Sequence, residues 1–117
     1  MKAYTDILQS KKLAEILPIE SADGTWKRIV IAGCNLGVPE EQQYFHDGDT
    51  LFVFYSGVGI PSWSLTALLN VLPSATLDSS DDHHYRLHCM ERYTEWYDNA
   101  IDACVDMIEK LHKQKLL

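Results

Sequence analysis

The side chains best suited to chemistry stand together at Asp81-Asp82-His83-His84, with His88 four positions beyond His84. Carboxylates and imidazoles are common oxygen and nitrogen ligands of a divalent ion, and they must converge on it to about 2 Å. On a strand, His84 and His88 share a face but stand roughly 13 Å apart at about 3.3 Å per residue, too far for a common ion. On a helix they would be i,i+4 neighbours and proper co-ligands. Tyr85, Leu87 and Cys89 alternate with His84, Arg86 and His88, the period of a strand with one buried and one wet face, which argues against the helix. What remains is a turn in which His83 or His84 joins Asp81 or Asp82, with His46 or Asp49 brought from another loop. A metal-dependent hydrolase using the Asp81–His88 segment is the enzyme such a set would serve. The plainer reading is a solvated turn in which Asp serves the backbone. No metal or other cofactor is expected.

Three cysteines, Cys34, Cys89 and Cys104, are an odd number without Cys-x-x-Cys spacing, which predicts free thiols rather than a disulfide framework or zinc site. A nucleophilic thiol needs exposure, a base and an orienting group. Cys89 and Cys104 fall on expected core faces, and Cys34 sits in a loop with only His46 as a paper partner. Gly33-Cys-Asn-Leu-Gly37 lacks the third glycine of a dinucleotide loop and the Gly-Lys-Ser/Thr of a phosphate loop. Ser56 is not a nucleophile elbow, because Phe54 stands where glycine is required. Asp47/Asp49 and Asp81/Asp82 sit in turns. No catalytic residue is assigned.

Charge is placed unevenly. Residues 78–109 hold nine acids against Arg86 and Arg92, which accounts for the whole net charge of −7. Without a basic stripe the chain is a poor candidate for gripping a phosphate backbone, so nucleic acid is an unlikely partner. The acidic third suits a basic protein partner, or simply a solvated face. Trp26, Trp63 and Trp96 with Tyr55, Tyr85, Tyr93 and Tyr97 mostly build the core, and an exposed aromatic patch is expected at Trp96-Tyr97 or Tyr44-Phe45. The partner-binding candidates are Asp78, Asp81, Asp82, Trp96 and Tyr97.

Length and composition frame these residues. With 117 residues, 46% hydrophobic and 23% charged, the chain suits one domain, 1–117, able to fold without staples. No apolar run reaches the roughly 18 residues of a membrane span, and the N-terminus lacks a signal-peptide core, so a cytoplasmic location is expected. Three helices are predicted. The first runs over 5–17, capped by Thr5 and stopped by Pro18. The second, 64–72, is capped by Ser64, stapled by Trp63 and Leu68, and ended by Pro73. The third, 99–114, is capped by Asn99 with Asp102 at N3, and Asp106/Lys110 and Glu109/Lys113 form i,i+4 pairs. Strands are predicted at Trp26–Ala32, Leu51–Tyr55, Ala75–Leu77 and Tyr85–Cys89, with turns at Asp23-Gly24 and Asp78–Asp82. Glu91-Arg92 either turns the chain or lies in a bulged strand continuing into Thr94–Tyr97. The sum is an α+β domain, a mainly antiparallel sheet of 4–5 short strands packed against three helices.

Gln9-Ser-x-Lys-Leu-Ala-Glu-Ile-Leu-Pro-Ile-Glu-Ser-Ala-Asp23, Pro61-x-Trp-Ser-Leu-x-Ala-Leu-Leu-x-x-Leu-Pro73 and Trp96-Tyr-Asp-Asn-x-x-Asp-Ala-Cys104 resemble a group of small uncharacterised proteins of gut Bacteroides-type bacteria, their phages and mobile elements. The resemblance spans about two-thirds of the chain. Members often carry proline after the Asn cap where this chain has Ala100. The motifs are caps, helix faces and turns, so the resemblance implies a genomic neighbourhood and no reaction.

The function expected from all this is a non-enzymatic accessory protein that binds another protein, with homodimerisation as one form. The alternatives are a nucleotide or metabolite binder with an aromatic-lined pocket near Gly33–Asp49 and Gly57–Ser62, and the metal-dependent hydrolase above.

Overall fold

The computed structural model describes residues 3–28, 44–46 and 59–117. The order of elements is α1 (Ile7–Ile16), a 3-10 turn (Ile19–Ser21), β1 (Gly24–Arg28), β2 (Tyr44–His46), β3 (Ile60–Ser62), α2 (Leu65–Val71), β4 (Thr76–Ser79), β5 (Tyr85–Cys89), β6 (Arg92–Tyr93) and α3 (Ala100–Lys113). This is the predicted α+β class. Among the described residues the antiparallel pairing is shared between two three-stranded sheets, ordered β2-β1-β3 and β4-β5-β6. No helix among the described residues is long and apolar enough to cross a membrane.

The first helix is capped one residue later than predicted. Asp6 takes the N-cap, accepting from Gln9 N at 2.8 Å while Gln9 Oε1 accepts from Asp6 N at 3.1 Å, a reciprocal capping box. Thr5 is unavailable for capping because it is fully buried and its hydroxyl is committed elsewhere. Thr5 Oγ1 accepts from Trp63 N at 3.1 Å and pairs with Ser10 Oγ at 2.7 Å. Leu17 adopts an extended conformation before Pro18, which disfavours α geometry in the residue it follows.

Asp23-Gly24 is not the predicted turn. Gly24 opens β1 opposite Ser62, and the Asp23 carboxylate accepts from Ser64 N at 2.8 Å and from the Ser64 hydroxyl. The predicted strand at Trp26–Ala32 is described only to Arg28, and the predicted Leu51–Tyr55 strand lies outside the described residues. Tyr44–His46 pairs with β1, Trp26 opposite His46. β3 is a strand the sequence reading omits, since Pro61 lacks a donor; its place at a sheet edge is where proline is tolerated. Gly59 precedes it because a Cβ there would meet Thr25 Cγ2 at 2.2 Å.

The second and third helices follow their predicted caps. Ser64 Oγ accepts from Ala67 N at 3.2 Å, and Trp63 and Leu68 are both fully buried in one apolar cluster. Asn99 Oδ1 accepts from Asp102 N at 2.9 Å, and α3 buries Ile101, Ala103, Cys104, Val105, Met107, Ile108 and Leu111. Asp106 and Lys110 pair at 3.3 Å as expected, whereas Glu109 meets Lys12 of α1 at 3.9 Å rather than Lys113.

Two hairpins build the second sheet. Asp78 and Ser79, predicted as turn, belong to β4, and the turn is confined to Asp81-Asp82-His83 between Ser80 and His84. His83 supplies its left-handed residue at φ +61°. The choice at Glu91-Arg92 resolves into both alternatives at different places. Met90 and Glu91, at φ +51° and +63°, form a two-residue hairpin turn, with Cys89 opposite Arg92. Further on, Thr94 opposes Leu87 but Tyr97 opposes Tyr85, so Glu95 and Trp96 together face Arg86 as a bulge. Met90-Glu91 holds a conformation suited to Asn-Gly. Replacing the pair by Asn-Gly is expected to raise the unfolding free energy by about 1–2 kcal/mol, read as a higher urea midpoint at unchanged slope.

Candidate functional site

β5 turns Leu87 and Cys89 inward and leaves His84, Arg86 and His88 on the outer face, as the alternation requires. The β4–β5 register sets Asp78 beside Arg86, and Arg86 Nη2 donates to Asp78 Oδ2 at 3.2 Å. The hairpin sets Tyr93 beside His88, their rings stacked at 4.3 Å between centroids and 6° between planes. The bulge brings in Trp96. The Arg86 guanidinium then lies over two rings, 4.6 Å from Tyr93 and 4.7 Å from Trp96. His88, Tyr93, Arg86 and Trp96 thus form one contiguous column across the outer face. Arg86 Nε is buried with no hydrogen-bond acceptor, so ring stacking and Asp78 hold the guanidinium. Tyr93 is 54% and Trp96 45% exposed despite these contacts.

The predicted site residues divide around this column. Asp78 and Trp96 belong to it. Asp81 and Asp82 are exposed on the adjoining turn, and Asp82 lines a small depression with Ser80, His84 and Trp96. Tyr97 does not share the patch with Trp96. It packs against the apolar cluster, and its hydroxyl donates to Asp106 Oδ2 at 2.9 Å. Burial first, then that carboxylate, pushes the Tyr97 phenol up to about 12. Arg86, Tyr93 and His88 are the members that sequence reasoning missed. Alternation marks Arg86 and His88 as outward-facing, but only the turn and bulge disclose their neighbours.

His83 and His84 part company. His84 Nε2 meets Asp98 Oδ1 at 3.2 Å beside Trp96, whereas His83 borders a largely apolar cavity of about 400 Å³ with Leu65, Leu77, Tyr85 and Ile101. Among the described residues no three His, Cys, Asp or Glu side chains converge on a point where a metal ion would sit. Cys89 and Cys104 are buried free thiols; burial raises both, Cys104 to about 12, which keeps them protonated and poorly nucleophilic at neutral pH. Cys34, Asp47, Asp49 and most of the two loops assigned to a ligand pocket lie outside the described residues. The described end, Gly59–Pro61, borders a depression with Ala22, Asp23 and Thr25 whose described lining contains no aromatic ring.

A scan against protein-family models and searches of curated proteins and of solved structures return no match. The three motifs of the sequence analysis meet in space. Trp63 Nε1 donates to Ser21 Oγ at 2.9 Å, Ser64 bonds Asp23, and Gln9 Nε2 donates to Asp102 Oδ1 at 2.7 Å.

The Arg86–Trp96 contact is expected to be energetic rather than incidental. A double-mutant cycle of Arg86→Gln and Trp96→Leu, measured by chemical unfolding, should give a coupling of about 0.5–1 kcal/mol. A coupling near zero would reduce the column to mere adjacency.

Proposed function

We propose that this protein acts without catalysis, by binding another protein through the outer face of the β4–β5–β6 sheet. The observation that carries the reading is the column itself: two exposed aromatic side chains, Tyr93 and Trp96, held in fixed positions by a guanidinium that Asp78 in turn fixes. Large amphipathic rings supply much contact area for little conformational entropy, and rings already locked lose less on binding. The two described thiols are buried, and burial raises both, so neither stands ready as an exposed nucleophile. An accessory role in a phage or mobile element, suggested by the resemblance, fits a small binding protein and adds no constraint on the partner.

The face does not favour a second copy of itself. A two-fold dimer through this surface would bring the exposed carboxylates Asp81, Asp82 and Glu95 of one copy close to acidic groups of the other, a like-charge cost that a basic partner does not meet. Photo-crosslinking in cells that naturally express the protein tests the reading. A benzophenone amino acid at Tyr93 should give a discrete protein adduct that the same group at exposed Leu8 on α1 does not give. Adducts of equal pattern at both positions, or none at Tyr93, would count against this face.

A further inference from the structure

Resting on that reading, we propose that the depression framed by Ser80, Asp82, His84 and Trp96 receives the cationic side chain of a lysine or arginine in a basic segment of the partner. The depression measures about 380 Å³ and is open to solvent, room for one long side chain entering from outside. Its walls offer what a cation needs. The Trp96 indole and the Asp82 carboxylate line it together with the Ser80 hydroxyl, which accepts from His84 N at 3.2 Å and keeps a second lone pair. The molecule already contains an internal version of this contact. Arg86 rests 4.7 Å from the same Trp96 ring while its Nη2 donates to Asp78 at 3.2 Å. Trp96 and Asp82 offer the same pairing of ring and carboxylate to a guest.

Charge on the surrounding surface selects the same guest. Asp78, Asp98, Asp106 and Glu109 each meet a basic side chain: Arg86, His84, Lys110 and Lys12. Asp81, Asp82, Glu91 and Glu95 meet none among the described residues, and residues 74–109 contain no lysine. Asp82 in the depression and Asp81 beside it on the turn repel anionic segments and draw basic ones, raising the association rate and making it salt-sensitive. Two ligating side chains, Asp82 and His84, are too few for a metal at this place, and His84 is engaged by Asp98.

The test uses the full-length ¹⁵N-labelled chain and a hexa-arginine peptide, with hexa-citrulline as the neutral near-isostere. The readout is the Trp96 indole N–H resonance, assigned by its loss in Trp96→Phe. Hexa-arginine should shift that resonance and the Asp82 and His84 amides along one saturable curve while the Trp63 indole stays in place. Asp82→Asn should weaken the affinity by about fivefold without disturbing the β4–β5 amides, and raising salt from about 50 to about 300 mM should weaken it further. Equal binding of hexa-citrulline would replace the cation site by a neutral aromatic platform. Small shifts spread over all acidic residues, with Trp96 unmoved, would reduce it to diffuse attraction. Either result overturns the proposal. If the Tyr93 crosslink then persists, the protein-binding face stands and only its cationic guest falls; if it is absent too, both fall.

Discussion

The structure depends first on how the chain satisfies the polar groups around one fully buried indole. Trp63 is the largest buried side chain, and burying it also buries backbone that must find partners. Thr5 N donates to Trp63 O at 2.9 Å and Trp63 N donates to Thr5 Oγ1, so the segment leading into α1 closes over the residue before the α2 cap. The Trp63 ring donates to Ser21, and Trp26 Nε1 donates to Thr5 O at 2.9 Å. Asp23 fixes Ser64, the cap of α2. Three segments distant in sequence, at Thr5, at residues 21–26 and at Trp63-Ser64, are thereby tied at one point. A buried hydrogen bond left unmade there would cost about 1–3 kcal/mol, a sizeable part of the stability of a small domain.

From that junction the frame extends outward. Trp63 and Leu68 join Ile101, Cys104, Ile108 and Leu111 of α3 in one apolar cluster, and Leu87 and Cys89 of β5 enter the same cluster from the sheet. A strand whose inner residues are fixed has its outer residues fixed as well, because successive side chains point to opposite faces. The turn at Met90-Glu91 and the bulge at Glu95-Trp96 then decide which rings meet Arg86. The outer face is therefore a consequence of the core plus two local departures from regular pairing.

The parts of this arrangement that sequence discloses are those governed by local chemistry. Ser64 and Asn99 cap their helices because a short oxygen acceptor stands just before an apolar stripe. The alternation through Tyr85–Cys89 assigns both faces of β5 from five residues. Thr5 and Asp6 are both caps by type; Gln9 at N3 favours Asp6 locally, and the Trp63 N–H claims the Thr5 hydroxyl. Pro61 argues against a strand unless its edge position is known. Met90-Glu91 carries neither glycine nor asparagine, so nothing local announces a tight turn, and the bulge that sets Trp96 against Arg86 depends on pairing register. The aromatic column is therefore illegible in the sequence, although alternation places Arg86 and His88 on the wet face. Trp96 and Tyr97, adjacent in sequence, look like one patch until the bulge and the Asp106 bond send them to different surroundings.

Native-state hydrogen exchange at the Trp63 amide tests the dependence of the fold on this junction most directly. If the junction holds the frame, that amide opens only with global unfolding, and its exchange free energy equals that of Ile108 in the middle of α3. Exchange as fast as at the exposed C-terminal end of α3 would show that the N-terminal closure over Trp63 opens independently, and would contradict the account.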